Sequence, residues 1–463
     1  MSDWHDAEEH VERAHEFYEL GRWEEAEAEL RKALSMDPNQ ADWQFNLGLT
    51  LEATGRLEEA VGAFRRAADL SDDNPQPLVS LGVNLNRLSR PDQALEALRR
   101  AQDMEQDFEP AYCPQIVALT MQGKHDEAEQ VFYMARLIKD ECPVCYANLG
   151  ESLLQRRLYE RAAWCFKEAA RLDPRMRRVH ARLGTVHALQ GQYEQAYRLY
   201  LRDLREDPGN IDTLLDLGEL FVVMRRLPEA AEKFRRILEL EPTNTDAHFR
   251  LGQLAIEAHR FDVARVEFEL VYKLDPDYPG IARQMAQVMV HTGQLDDARR
   301  HLSLVVEQIA GPDDREAEDD LLGLGNLLVA AGMKREACEV LSLLVEQEPT
   351  HVEGWHRLGT IQLMRKNYQP GIECARRAVR LEAKHLKALH NLVLAYLETG
   401  RPLSARVMLN RAERVEPNDP MIRRLAVRVQ AAQVRRSMRH LGHSLKMLIR
   451  ARARRLRRRT KHS

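Results

Sequence analysis

The sequence predicts an all-α fold: a solenoid of helix-turn-helix repeats closed by a C-terminal capping helix. Three observations carry this. Gly48, Gly82, Gly150, Gly184, Gly218 and Gly252 recur at intervals of 34 or 68 residues, and a fixed period of this size means stacked two-helix units. Within one period, residues 211–244, the apolar and small residues Leu214, Leu215, Leu217, Gly218 and Phe221, then Ala230, Ala231, Phe234 and Ile237, fall at helical spacings of three and four. Pro242 ends the second run, because its ring removes a donor and clashes with the preceding turn.

The composition agrees. Hydrophobic residues make up 44%, aromatic residues 6% and charged residues 30%, which suits a thin array with much surface for its core. The beginning, MSDWHDAEEH, is acidic and has no apolar run, and no segment is apolar enough to span a bilayer, so a cytoplasmic location is expected. Six cysteines in 463 residues are too sparse for a disulfide scaffold. The net charge of −4 conceals a segregation: residues 1–419 carry 53 Lys+Arg against 72 Asp+Glu, whereas 420–463 carry 15 Lys+Arg and no acid.

In order along the chain, repeats begin at Ala7, Ala41, Pro75, Glu109, Pro143, Arg177, Ile211, Thr245, Pro279, Glu318, Val352 and Leu386. The expected organisation is a leader over 1–6, repeats one to nine over 7–317, repeats ten to twelve over 318–419, a capping helix over 420–434 and a basic amphipathic tail over 435–463. A five-residue insertion in GPDDREAEDD precedes Glu318, and this joint is expected to be the most flexible.

The recurring residues are specific. A Leu-Gly pair stands at Leu47-Gly48, Leu81-Gly82, Leu149-Gly150, Leu183-Gly184, Leu217-Gly218, Leu251-Gly252, Leu324-Gly325 and Leu358-Gly359. A small residue in the second helix (Ala26, Ala60, Ala94, Ala128, Ala162, Ala196, Ala230, Ala264, Ala298, Ala337, Ala405) is followed four residues on by a large one, such as Phe64, Phe132, Phe166, Tyr200, Phe234 and Phe268. This pattern resembles the tetratricopeptide repeat (TPR) family over residues 7–419. The resemblance implies a right-handed α-α superhelix whose first helices line a concave groove. Departures are Ala14, Ile116, Ala286 and Val393 in place of the glycine and Gly371 in place of the alanine. His187 and Gln362 fall at core positions, where each needs a polar partner or a route to solvent.

The resemblance also implies a peptide-binding groove. At its groove positions, repeats two to four offer the apolar Phe45, Leu49, Val79, Val83, Cys113 and Val117, together with Asn46, and Asn148 follows in repeat five. Repeats six to eight offer Arg178, Arg182, Asp212, Asp216, Glu219, Asp246, Arg250 and Gln253, a polar floor suited to hydrogen-bonding a peptide. No repeat carries the lysine of the family's carboxylate clamp. An asparagine ladder is broken, since only Asn46, Asn148 and Asn391 stand at its position. Some of the apolar residues are expected to be packing contacts between first helices.

With 7–419 consumed by repeats, and with no P-loop, dinucleotide fingerprint, nucleophile elbow or HExxH, neither enzymatic activity nor a cofactor is expected. Cys142 and Cys145 have CxxC spacing, and Cys113 lies about one repeat upstream. Zinc needs a fourth ligand, so ordinary reduced thiols are the main expectation and a metal the lesser one. The basic tail, with Arg435, Arg436, Arg439, Lys446, Arg450, Arg452, Arg454, Arg455, Arg457, Arg458 and Arg459, leaves several readings open. It can contact nucleic-acid phosphates, lie on an anionic membrane with Met438, Leu441, Leu445 and Leu448 inserted, dock on acidic protein, or simply solubilise the end. Self-association is among these readings, because residues 1–142 sum to −16. The function expected is a scaffold or adaptor that binds proteins through its groove, with the tail as a second contact.

Overall fold

Helices arise wherever the three-and-four spacing holds. The computed structural model describes residues 2–71, 73–309 and 320–459, and the chain divides into two compact units, Met1–Pro242 and Thr243–Ser463. The first unit contains α1 (Ser2–Glu19), α2 (Trp23–Met36), α3 (Ala41–Ala53), α4 (Leu57–Leu70), α5 (Gln76–Arg87), α6 (Pro91–Met104), α7 (Tyr112–Met121), α8 (His125–Ile138), α9 (Pro143–Gln155), α10 (Tyr159–Leu172), α11 (Val179–Leu189), α12 (Tyr193–Glu206), α13 (Ile211–Val223) and α14 (Leu227–Leu240). The second contains α15 (Thr245–Glu257), α16 (Phe261–Leu274), α17 (Ile281–Thr292), α18 (Leu295–Ile309), α19 (Leu321–Ala330), α20 (Lys334–Gln347), α21 (Val352–Met364), α22 (Tyr368–Leu381), α23 (Leu386–Glu398), α24 (Pro402–Val415) and α25 (Pro420–Arg459). Odd and even helices pair as hairpins from α1 with α2 to α23 with α24, and each hairpin stacks on its neighbour within its unit. No strand occurs among the described residues.

The hairpins close through the glycine and the large residue. A Cβ placed on Gly48 would lie 2.6 Å from the Phe64 ring, and one on Gly150 would lie 2.8 Å from the Phe166 ring. The ring therefore occupies the space that a side chain would need. Phe64, Phe132, Phe166, Phe234 and Phe268 are fully buried, each contributing about 1.5–3 kcal/mol of transfer free energy. Repeat eleven reverses the arrangement. Gly371 opens a gap in the second helix, and Leu363 of the first helix comes within 2.6 Å of where its Cβ would stand.

Turn chemistry fixes the element ends. The residue joining the two helices of a repeat takes left-handed φ, as at Gly55 (φ 76°) and Ser89 (φ 56°). Second helices end on an extended residue before the closing proline, such as Asp37 (φ −137°, ψ 98°) and Asp275 (φ −143°, ψ 96°), because proline disfavours α geometry in the residue before it. Asn210 and Asn244 cap α13 and α15, their side-chain oxygens accepting from the N–H groups of Thr213 and Ala247 at 3.0 Å.

Several details differ from the sequence reading. The leader is helical, since α1 begins at Ser2. Repeat four opens on a short 3-10 turn, Glu109–Ala111, before α7. Helices α11 and α17 start two residues later than expected, because Arg178 (φ 64°) and Gly280 (φ 79°) are left-handed immediately before them. His187 Nδ1 meets Gln192 Oε1 at 2.6 Å, and Gln362 Oε1 accepts from Asn367 Nδ2 at 3.0 Å, so both polar core residues are satisfied. Most of the insertion before repeat ten lies outside the described residues.

One helix, α25, spans both the expected cap and the tail. Ile422, Leu425 and Val429 are buried in the cluster that also holds Leu389, Tyr396 and Leu409. This covers the open face of the last hairpin, as a repeat array requires. Beyond it, Met438, Leu441 and Leu448 are exposed. Leu445 and the side chains of Arg450, Arg452, Arg454, Arg455, Arg457, Arg458 and Arg459 lie outside the described ones. None of the described helices is long and apolar enough to cross a membrane.

Candidate peptide-binding groove

In the first unit the first helices of successive repeats stand side by side, α5 against α7, α7 against α9 and α11 against α13. Residues at one register on these helices therefore share a surface. A pocket of about 360 Å³ opens there, lined by Val117 from α7, Asn148, Glu151 and Gln155 from α9, and Arg178 and Arg182 at the start of α11. Arg178 takes a left-handed backbone (φ 64°) immediately before α11.

The polar groups of the pocket are cross-braced. Arg182 Nε pairs with Glu151 at 2.7 Å, and Arg178 Nη1 with Asp212 at 2.9 Å. The Arg178 Nε atom is buried with no partner among the described residues, an open donor in an otherwise satisfied wall. Asn148 spends its amide N–H on the Cys113 carbonyl, at 3.1 Å. Behind the arginines a hydroxyl chain runs inward: Tyr200 donates to Thr185 at 3.2 Å, and Thr185 to Asp216 at 3.3 Å.

Burial dominates the electrostatics. It pushes the Asp216 carboxyl up to about 6, with Arg182 and the Thr185 hydroxyl opposing and Glu219 adding to the rise. Burial also raises Glu151, against the pull of Arg182 and Arg178, and it raises the Tyr200 phenol. Two carboxyls and two guanidiniums thus share a partly desolvated floor, where charge pairing is worth more than in open water.

Of the residues singled out in the sequence, Val117, Asn148, Arg178 and Arg182 line this one pocket, and Asp216 lies just behind it. Phe45, Asn46, Leu49, Val79 and Val83 do not line it. Phe45 packs against Phe64 with the rings tilted and their centroids 5.5 Å apart, and Val79 is only 5% exposed, so both serve packing; Leu49 and Val83 are half-buried against the same core, and Asn46 is exposed. Arg250, in the second unit, reaches Gln253 at 3.1 Å, and Asp246 accepts from the Tyr278 hydroxyl. Glu151, Gln155, Thr120 and Thr185 went unread. Glu151 stands at the repeat position from which Leu49, Val83 and Val117 were taken, so its signal was present; the others become visible only in the packed hairpins.

The cysteine expectation needs correcting. Cys113 and Cys145 are joined in a disulfide, with Cα atoms 5.2 Å apart, and Cys142 is a free thiol beside them. Stacking α7 on α9 is what brings them together. In the second unit, Arg435, Arg436 and Arg439 of α25 face Arg401 and Ser404 across a pocket of about 940 Å³ with no acid in its lining. Lys446 is exposed farther along.

Paired helices at a 34-residue period, several of them closed by a glycine against a large apolar side chain, define a helical-repeat protein. Residues 11–75, 148–211 and 215–279 match a tetratricopeptide repeat model, and 255–319 match a second model of the same description, together about half of the chain. The chain belongs to the tetratricopeptide repeat family. It is 33% identical over 89 residues to the peroxisomal targeting signal receptor of Saccharomyces cerevisiae, covering 19% of this chain and 14% of that one. It is 28% identical over 123 residues to the tetratricopeptide repeat-containing protein trd-1 of Caenorhabditis elegans, covering 27% and 16%. The matched stretches thus span about a seventh of these relatives' length. Among solved structures, the Cut9-Hcn1 complex of the APC/C is 14% identical (90% of this chain, 95% of that one, TM-score 0.41), and yeast Tom70 is 15% identical (94% and 96%, TM-score 0.36).

Proposed function

We propose that this chain is a non-catalytic adaptor that binds an extended segment of a partner protein along the first helices of its first unit. The observation that carries this reading is the pocket between α7, α9 and α11. It sets an apolar side, Val117, next to a floor of Glu151, Arg178 and Arg182 that includes one unpartnered buried donor. Such a surface offers side-chain complementarity and main-chain hydrogen bonds together. Membership of the family and likeness to a receptor for a targeting signal support a peptide as the occupant.

The test is a randomised peptide array probed with the full chain, followed by anisotropy titration of the peptides selected. Arg182→Glu and Val117→Asp are expected to weaken binding at least tenfold, about 1.4 kcal/mol or more, while Arg236→Glu, on α14, leaves it unchanged. Selected peptides that bind all three variants as tightly as the wild type refute the pocket as the site.

A second contact is supported by the acid-free wall of Arg401, Arg435, Arg436 and Arg439. It suits an anionic partner, whether nucleic acid, anionic membrane or acidic protein, the acidic beginning of a second copy included. Removing α25 at Asp419 would also strip Ile422, Leu425 and Val429 from the core. The Arg435→Ser/Arg436→Ser/Arg439→Ser variant is the cleaner probe, in a salt series against duplex DNA, phosphatidylserine vesicles and the acidic segment 1–142. Binding of all three unchanged in the variant removes this contact from the reading.

A further inference from the structure

Three of the six cysteines converge at one point of the first unit. Cys113 comes from the first turn of α7, Cys142 immediately precedes α9 and Cys145 lies in its first turn, and all three sulfurs fall within 4.8 Å of one another. The Cys142 sulfur is 3.3 Å from that of Cys113 and accepts the Cys145 backbone N–H at 3.4 Å. A structural crosslink needs two sulfurs. The third sits at a helix N-terminus with the Cys145 amide and Lys139 favouring the anionic sulfur, while burial and the Glu109 carboxylate beside it hold the metal-free thiol above its ordinary value, so that a cation is what would draw off its proton. Cys142 and Cys145 are buried. Among the described residues the group of converging ligand atoms is all sulfur, with the Glu109 carboxylate as the neighbour of Cys142, so the donor set is predominantly soft. That chemistry selects thiophilic ions over magnesium, calcium or manganese.

We propose that Cys113, Cys142 and Cys145 form, in the reduced chain, a three-thiolate site for a thiophilic d10 cation, zinc(II) or copper(I). The Cys113–Cys145 disulfide is the metal-free state of the same cluster. The two states exclude each other because both use the sulfurs of Cys113 and Cys145. Opening the disulfide takes two electrons and two protons from an external dithiol, which leaves as its own disulfide. Loading the cation then releases the protons of the three thiols, so uptake strengthens as pH rises. With three protein ligands, zinc(II) completes its shell with water, whereas copper(I) is satisfied by the three sulfurs. Either state ties α7 to α9 next to the pocket, one turn before Val117 and Asn148, but the site itself requires no peptide.

The experiment uses the full chain, reduced with a phosphine, desalted without oxygen and shown to have six titratable thiols. One equivalent of Co²⁺ is expected to give intense thiolate-to-metal absorption near the ultraviolet, abolished by one equivalent of Zn²⁺. A parallel titration with Cu⁺ against a colorimetric chelator distinguishes the two ions. Cys142→Ser and, independently, Cys113→Ser lower affinity at least tenfold with helical circular dichroism retained, while Cys165→Ser/Cys338→Ser/Cys374→Ser binds as the wild type does. The oxidised chain takes up metal only after reduction. Reduced wild-type chain with six free thiols that takes up none of Co²⁺, Zn²⁺ or Cu⁺ overturns the proposal, and so does uptake that both single variants leave unchanged.

Discussion

Replacing Asp216 by Asn removes a carboxyl that the fold holds at about 6 instead of its ordinary 3.8, chiefly through burial. At 1.36 kcal/mol per unit the difference corresponds to about 3 kcal/mol, which residual solvent access reduces to about 2 kcal/mol. The folded-state value lies above the unfolded one, so the native state binds the proton more tightly. The stabilising contribution of Asp216 is therefore complete below about pH 4 and is lost as pH rises through about 6. The amide of Asn matches the neutral acid in shape and can still accept from Thr185. Asp216→Asn should approach the wild type as pH falls to about 4 and exceed it by about 2 kcal/mol above pH 7, with half of the gain reached near pH 5, midway between the unfolded and folded values. Urea unfolding of the full chain across pH 4 to 8 gives the variant-minus-wild-type difference, which cancels every other titrating group. Hydrogen exchange in α11 and α13 localises it. A difference independent of pH, or a variant less stable at pH 8, would show that Arg182 and the hydroxyl chain outweigh burial.

Two further outcomes test the scaffold. Gly48→Ala adds about 1 kcal/mol of helix propensity but drives a Cβ to 2.6 Å from the Phe64 ring, and overpacking of that kind costs about 1–3 kcal/mol. The variant should lower the urea midpoint of the first unit, and a neutral or raised midpoint would show that α3 and α4 separate at little cost. Leu425→Ala, at a residue only 1% exposed, should cost the second unit about 2–4 kcal/mol and speed hydrogen exchange in α23 and α24. Unchanged exchange there would mean that α25 does not cap the last hairpin.

Periodicity alone fixed the helices, because burial of one face every 3.6 residues and close approach at a small residue are local demands written into each repeat. The same logic picked out Val117, Asn148 and Arg182 on first helices and Arg178 just before one, and it expected a capping helix over 420–434. Periodicity could not tell Val79, which the core takes, from Val117, which a pocket exposes. That depends on how neighbouring hairpins meet. Nor could it show that Glu151 braces Arg182 or that Asp216 is buried enough to hold a proton near neutrality, since desolvation is a property of packed neighbours and not of sequence position. The cysteines make the division plainest. CxxC spacing set Cys142 and Cys145 one helical turn apart. Only the stacking of α7 on α9 delivered Cys113 from about thirty residues upstream to complete the cluster, because contact between repeats is decided by the tertiary fold.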